Sequence, residues 1–299
     1  MLSYKSVEDN PKLLRVMTSL NKEEFEELCN LFEDAWDDYK KKVGYHDESR
    51  GGRKPVLEKP EDKLFFILFY IKLYSLQEIM GFLFGMSQSQ ANYWIHVLSQ
   101  VLKMALERKD YLPKRIPEQM MEKIAQETSQ DIAIDGTERR RQRPLNSEEQ
   151  KFYYSGKKKT HTFKNDLVTG INDMEIKYLS KTCEGKASDK KIAEDEGLGF
   201  PEGTHLYQDK AFQGYQPAGA TIHQPKKKPQ GSELSAEEKE NNRLISKIRV
   251  AVEHVISGVK RCRIVKDVFR NTKEEYDDLV MEIACGLHNL RREHRLESY

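Results

Sequence analysis

Asp131-Ile132-Ala133-Ile134-Asp135-Gly136 is the stretch on which the fold turns. An apolar run this short, bounded by acids and broken by glycine, cannot make an amphipathic helix. It reads as a buried strand that ends at Asp135 and passes into a loop. Thr204-His205-Leu206-Tyr207-Gln208-Asp209 repeats the pattern and ends in a second aspartate, just before Lys210-Ala211-Phe212-Gln213-Gly214-Tyr215. Side chains at the strand ends of mixed sheets converge on ligands, so two strand-end carboxylates make a candidate site for hard cations held through oxygen.

Residues 244–260, LISKIRVAVEHVISGVK, supply a third carboxylate. At about 100° per residue, Leu244, Ile248, Val252, Val255 and Val259 form an apolar face, while Arg249, Glu253 and Lys260 fall within roughly 40° of one another beside it. Taken alone, that group is a solvated rim with an i,i+4 ion pair. Together with Asp135 and Asp209, Glu253 gives the acidic set of a two-metal phosphodiester site.

These residues belong to a longer pattern. Asp135-Gly136-Thr137-Glu138, Arg143-Pro144, Tyr153-Tyr154-Ser155-Gly156-Lys157-Lys158-Lys159-Thr160-His161-Thr162, Asp209-Lys210 with Gly214-Tyr215, and Arg249-x3-Glu253-x6-Lys260 follow one another in a characteristic order. Their order and spacing resemble the DDE-type bacterial insertion-sequence transposases with an N-terminal helix-turn-helix and an RNase H-like catalytic domain, over residues 55–292. Ser246 stands where the related signature has a tyrosine, and Gly185-Lys186-Ala187-Ser188-Asp189 stands where relatives have Gly-x-x-His-Asp.

The resemblance implies an α/β fold, with an RNase H-like mixed sheet flanked by helices and preceded by an α-helical helix-turn-helix region. It implies a transposase that binds terminal inverted repeats, cleaves the ends and joins them to target DNA, acting as a homodimer when two ends are synapsed. Asp135, Asp209 and Glu253 would then hold two Mg²⁺ ions, for which Mn²⁺ would substitute. Arg249 and Lys260 would orient Glu253 or neutralise a phosphate, and His161 would contact DNA. The alternatives are a general metal-dependent DNA endonuclease, which would not need a helix-turn-helix, and a catalytically silent DNA-binding regulator, which should have lost a carboxylate.

The chain's 299 residues leave room for two domains. Charged residues make up 33% but the net charge is only +1, so contact with nucleic acid must come from local segregation of charge. Cys29, Cys183, Cys262 and Cys285 are scattered without a CxxC pair, which argues against structural zinc and a disulfide framework. The longest apolar run, residues 64–71, is far short of a membrane span, and the first residues lack the layout of a signal peptide. The expectation is a soluble cytoplasmic protein associated with the nucleoid, with DNA rather than membrane as partner.

Four regions are expected. Residues 1–43 carry apolar positions at helical spacing and read as a packing or dimerisation segment, with Asn21 and Glu24 marking a helix start. Residues 44–60 turn to Gly, Lys, Arg and Pro and read either as a linker or as an arm whose Arg53 and Lys54 enter a minor groove. Residues 61–112 contain three helices, the third beginning after Gly85-Met86 with Ser87 as its cap. Gln88, Ser89, Gln90 and Asn92 stand at the start of that helix, where short polar side chains reach base edges. Tyr93 and Trp94 are expected to anchor it.

Residues 128–299 form the expected catalytic domain. In it Arg139, Arg140, Arg141 and Arg143, with Lys157, Lys158 and Lys159, make basic clusters interleaved with aromatics, suited to the phosphate backbone. Residues 160–168 and 171–179 read as a hairpin about Thr169-Gly170, and Pro225-Lys226-Lys227-Lys228-Pro229 as a basic loop.

Overall fold

A computed structural model describes residues 1–44, 55–227 and 233–297. The chain forms two compact units, one of Met1–Leu112, Lys260–Asp267 and Thr272–Tyr299, the other of Pro113–Val259 and Val268–Asn271.

In the first unit α1 (Pro11–Thr18) and α2 (Lys22–Val43) lead into α3 (Pro60–Leu73), α4 (Gln77–Phe84) and α5 (Gln88–Glu107). The Asn21 side chain accepts from the Glu24 N–H at 2.7 Å and the Glu24 carboxylate accepts from the Asn21 N–H at 2.7 Å, the capping box read from sequence. Every residue from 64 to 71 is buried. A helix apolar on all sides has no face to offer water, so α3 becomes the centre of the unit, each large side chain contributing about 1.5–3 kcal/mol. Phe84 of α4 packs on Phe65, Phe66 and Phe69 with ring centroids 6.1, 4.9 and 5.6 Å away.

Gly85 at φ +70° closes α4, in a left-handed conformation that a side chain would strain. Ser87 then caps α5 by accepting from the Gln90 N–H at 3.2 Å. Trp94 meets Trp36 at 6.0 Å as an anchor. Tyr93, expected to anchor beside it, is 52% exposed, because consecutive helical positions point about 100° apart.

The second unit begins with α6 (Pro117–Ala125) and β1 (Asp131–Arg140), then α7 (Ser147–Tyr153), β2 (Tyr154–Ser155), β3 (Thr160–Gly170), β4 (Ile176–Leu179) and β5 (Cys183–Glu184). It continues through α8 (Asp189–Glu196), β6 (Thr204–Gln208), β7 (Ala220–His223) and α9 (Ala236–Val259). The strands form one mixed sheet in the order β2-β3-β1-β6-β7, with β4 and β5 also on β3. β1 pairs antiparallel with β3 and parallel with β6, β3 pairs antiparallel with β4, and β6 pairs parallel with β7. Antiparallel strands extended by parallel ones are the RNase H-like arrangement expected.

Ile132 and Ile134 of β1, Val168 of β3 and Leu206 of β6 share a core with Met120 and Ile124 of α6 and Ala193 of α8. Alternation therefore turns Asp131, Ala133 and Asp135 to the opposite face.

α10 (Arg263–Lys266) and α11 (Tyr276–Glu297) return to the helical unit. There the Tyr276 and Ser99 hydroxyls lie 3.0 Å apart, and the Asn289 amide donates to the Tyr111 carbonyl at 2.9 Å. Residues 260–267 and 272–297 of the expected 128–299 region thus pack in the helical unit, where α11 meets α5. Among the described residues no helix is long and apolar enough to cross a membrane.

Three local expectations change. β1 does not stop at Asp135 but pairs with β3 as far as Arg140, opposite Thr162. β3 runs through Gly170, so the hairpin turns at residues 171–175 instead of at Thr169-Gly170. α9 ends at Val259, which takes Lys260 off the face carrying Arg249 and Glu253.

Candidate functional site

The parallel register of β1 and β6 matches Ile134 with Gln208, so Asp135 and Asp209 are the next residues along on adjacent strands. Strand alternation turns both to the same side, away from the Ile134 core. α9 approaches that side, and the Arg249 guanidinium donates to Asp209 Oδ2 at 3.1 Å. Glu253 lies one helical turn beyond Arg249, on the same face by spacing, and its side chain is exposed. The structure thus brings Asp135, Asp209 and Arg249 together, leaves Glu253 open to solvent on the approaching helix, and places Lys260 in the turn after it.

Burial pushes the Asp135 carboxyl up to about 6, against the opposing pull of Arg249 and of the Gly136 N–H, which donates to Asp135 Oδ1 at 2.9 Å. The negative charges of Asp209 and Asp189 push in the same direction as burial. The sequence reading asked no such shift of these carboxylates. It arises because three acids share a partly dehydrated space facing one arginine.

Asp189 is a participant that sequence reasoning missed. It opens α8, and a Cβ built on Gly136 would lie 2.7 Å from the Asp189 carboxyl carbon, so the carboxylate rests directly on the glycine beside Asp135. The Lys164 ammonium holds it at 3.0 Å. Asp166, opposite Gly136 in the β1–β3 register, is a second. It is 1% exposed, neither carboxylate oxygen has a hydrogen-bond partner among the described residues, and burial raises its pKa well above the ordinary range. Asp189 ends the Gly185–Asp189 segment noted in the sequence, and no local pattern marks Asp166, but the closeness of both to Asp135 depends on which strand and helix arrive beside Gly136.

The basic residues divide. Arg139 is 3% exposed, with its guanidinium donating to Asn165 Oδ1 at 2.9 Å and Thr182 Oγ1 at 3.1 Å, so it is a sheet residue rather than a phosphate contact. By alternation it shares a face with Asp135, and there Phe163, its partner on β3, covers its guanidinium at 5.6 Å. Arg141 stacks on Tyr153 at 3.7 Å and Phe163 at 4.7 Å. Arg143 donates to Gln150 Oε1 at 3.1 and 2.8 Å. Arg140 is exposed, as are Lys157, Lys158 and Lys159 in the tight turn between β2 and β3. His161 packs edge-on against Tyr154 at 5.7 Å.

In the helical unit Gln88, Ser89 and Gln90 are exposed and Asn92 is half-buried. The Gln90 side chain accepts from the Ser87 N–H at 3.0 Å and is committed to the cap. Arg53, Lys54, Lys228 and Pro229 lie outside the described residues.

A separate acidic group, Glu127, Asp173 and Glu175, can bring its carboxylate oxygens within 4.8 Å of one another. The Lys177 ammonium, 1% exposed, already bonds all three, so this is an ion-pair network around a buried lysine.

Residues 56–107 match the helix-turn-helix of DDE superfamily endonuclease. The probable transposase for insertion sequence element IS702 of Microchaete diplosiphon is 28% identical over 242 residues, covering 81% of this chain and 84% of its own. No solved structure matches. The superfamily implies DNA as partner and the use of divalent metal. Residues 134–289, which span the sheet, Asp135, Asp209 and Glu253, match the DDE superfamily endonuclease, and the chain belongs to that family.

Proposed function

We propose that this chain is a transposase that binds the inverted-repeat ends of its element, cuts them and joins them to target DNA. The observation carrying this reading is the side-by-side placement of Asp135 and Asp209 at the junction of two parallel strands, facing a helix that brings Arg249 and Glu253. The donor set suits a hard cation. It is built from carboxylate oxygens, and burial, which is the main reason that the Asp135 carboxyl is raised, leaves a poorly hydrated carboxylate that a cation would stabilise. When bound, two Mg²⁺ ions would supply Lewis-acid activation of the nucleophile and stabilisation of the leaving oxygen.

The chain's own residues do the rest. Asp135 and Asp209 hold the reacting phosphodiester's environment rigidly, since each is fixed by a strand or its end. Arg249 orients Asp209. Glu253 completes the set from a helix, so its carboxylate reaches the pair by a side-chain movement rather than a backbone one. Arg140 and the Lys157, Lys158 and Lys159 turn hold the phosphate backbone without reading sequence. Gln88, Ser89 and Asn92 at the exposed start of α5 read base edges. Two copies act together, one at each end.

The test is cleavage of labelled end-containing DNA by the wild type and by the Asp209→Asn and Glu253→Gln variants, with the fold of each checked by circular dichroism. Cutting should fall by orders of magnitude while DNA binding persists. Near-normal cutting by Glu253→Gln would overturn the assignment.

A further inference from the structure

We infer that Phe152 and Tyr154 form a stacking platform for unpaired DNA bases, set among the cations that lie between β1 and β3. Such a platform presupposes the DNA-cutting activity proposed above, and adds that part of the bound DNA is single-stranded. Between residues 140 and 159 seven lysines and arginines stand against two glutamates, a net +5 in a chain whose total is +1. Glu148, one of the two, is already paired with Lys151 at 2.9 Å. Phe152 and Tyr154 sit inside this stretch, and each is 45% exposed.

Their neighbours are committed elsewhere. The Arg141 guanidinium covers the Tyr153 and Phe163 rings at 3.7 and 4.7 Å. Phe152 meets Tyr153 edge-on at 5.1 Å and 88°, and Tyr154 meets His161 edge-on at 5.7 Å and 70°. An edge-on contact occupies at most one of a ring's two faces, so each ring keeps a face for a base.

The register places the platform relative to the carboxylates. Asp135 stands opposite Leu167, Arg139 opposite Phe163, and Tyr154 opposite His161. Leu167, Phe163 and His161 share one face of β3 by alternation, so Tyr154 lies on the face of the sheet that carries Asp135. His161 and Leu167 are six residues apart, about 20 Å at strand spacing, which is about six nucleotides of a DNA strand.

The bases of a duplex are stacked on one another and offer a ring no face. An unpaired base does offer one, and it leaves its phosphate to the neighbouring cations. A protein seated on the same rings would have to dehydrate Lys157, Lys158 and Lys159, which are exposed.

The full chain is titrated in EDTA, so that nothing is cut, against a short fluorescein-labelled oligo-dT and against a duplex of the same length, with anisotropy as the readout. Phe152→Ala and Tyr154→Ala should each weaken oligo-dT binding by about fivefold or more, the least that one stacked base contributes, and should leave duplex binding and its salt slope unchanged. Tyr154→Phe, which keeps the ring, should bind as the wild type does. Tyr154→Leu, which keeps apolar bulk without the flat face, should bind like the alanine variant. Neutralising Lys157, Lys158 and Lys159 together should weaken both ligands, because phosphate is common to both. Oligo-dT affinity that is unchanged in both alanine variants, or that falls only by the same factor as duplex affinity, would overturn the platform. A wild type that bound duplex but not oligo-dT would overturn the platform alone, and one that bound neither would overturn the proposed function with it.

Discussion

Replacing Asp135 by asparagine should make the protein more stable and inactive at once. Its carboxyl is raised from 3.8 to about 6, so holding it ionised in the fold costs about 3 kcal/mol relative to the unfolded chain. The sign follows from proton counting. Between pH 4 and 6 the folded state binds more protons at this position than the unfolded state does, so stability falls as pH rises through that window and levels off above it. Asparagine keeps the shape and has no charge to bury.

In EDTA at pH 8 the variant should therefore be more stable by up to about 3 kcal/mol, and the advantage should shrink toward zero near pH 4. Mg²⁺ should narrow the difference, because an ion that binds only the wild-type carboxylates stabilises only the wild type. Urea denaturation at pH 5 and pH 8, followed by far-ultraviolet circular dichroism and by hydrogen exchange of β1 peptides, measures this. The two tryptophans, Trp36 and Trp94, both lie in the helical unit, so their fluorescence serves as an internal control. A variant no more stable than the wild type at pH 8, or one whose advantage is the same at both pH values, would refute the account of Asp135 as a carboxylate kept under electrostatic strain.

Gly136→Ala should destabilise the sheet unit by about 1–3 kcal/mol, because the new methyl would sit 2.7 Å from the Asp189 carboxyl carbon. Urea midpoints would show it, and adding Asp189→Ala should recover most of the loss. Arg139→Ala should cost about 1–3 kcal/mol of stability by stranding Asn165. Neutralising Arg140, Lys157, Lys158 and Lys159 should leave stability unchanged and lower the salt slope of log DNA affinity by about 0.9 for each phosphate that is no longer paired with a cation. An unchanged slope would make those charges a solvated face. The Gln88→Ala, Ser89→Ala, Asn92→Ala triple variant should lose preference for the cognate end by about 1–3 kcal/mol per base read, measured by gel-shift competition against scrambled ends.

Local patterns were enough for what depends on near neighbours. The Asn21–Glu24 box, the Gly85 break, the Ser87 cap and the Val252, Val255 and Val259 part of the α9 stripe each arise within a few residues and were legible as sequence, whereas Leu244, expected in that stripe, is exposed and Ile245 is buried instead. So was the pairing of Asp135 with Asp209, because two strands of the same pattern can place like positions side by side. Tertiary structure decided the rest, for a common reason: the interacting groups come from distant segments and carry no periodic signal. β3 supplied a partner that carried β1 past Asp135 and covered Arg139 with Phe163 and Asn165. α8 delivered Asp189 onto Gly136, 53 positions earlier in the chain, and only there does its charge raise the pKa of Asp135. α11 packs with α5, in the helical unit. Tyr154 reaches the Asp135 face because β2 pairs with β3 in one register, and a slip of one residue would turn it to the other face.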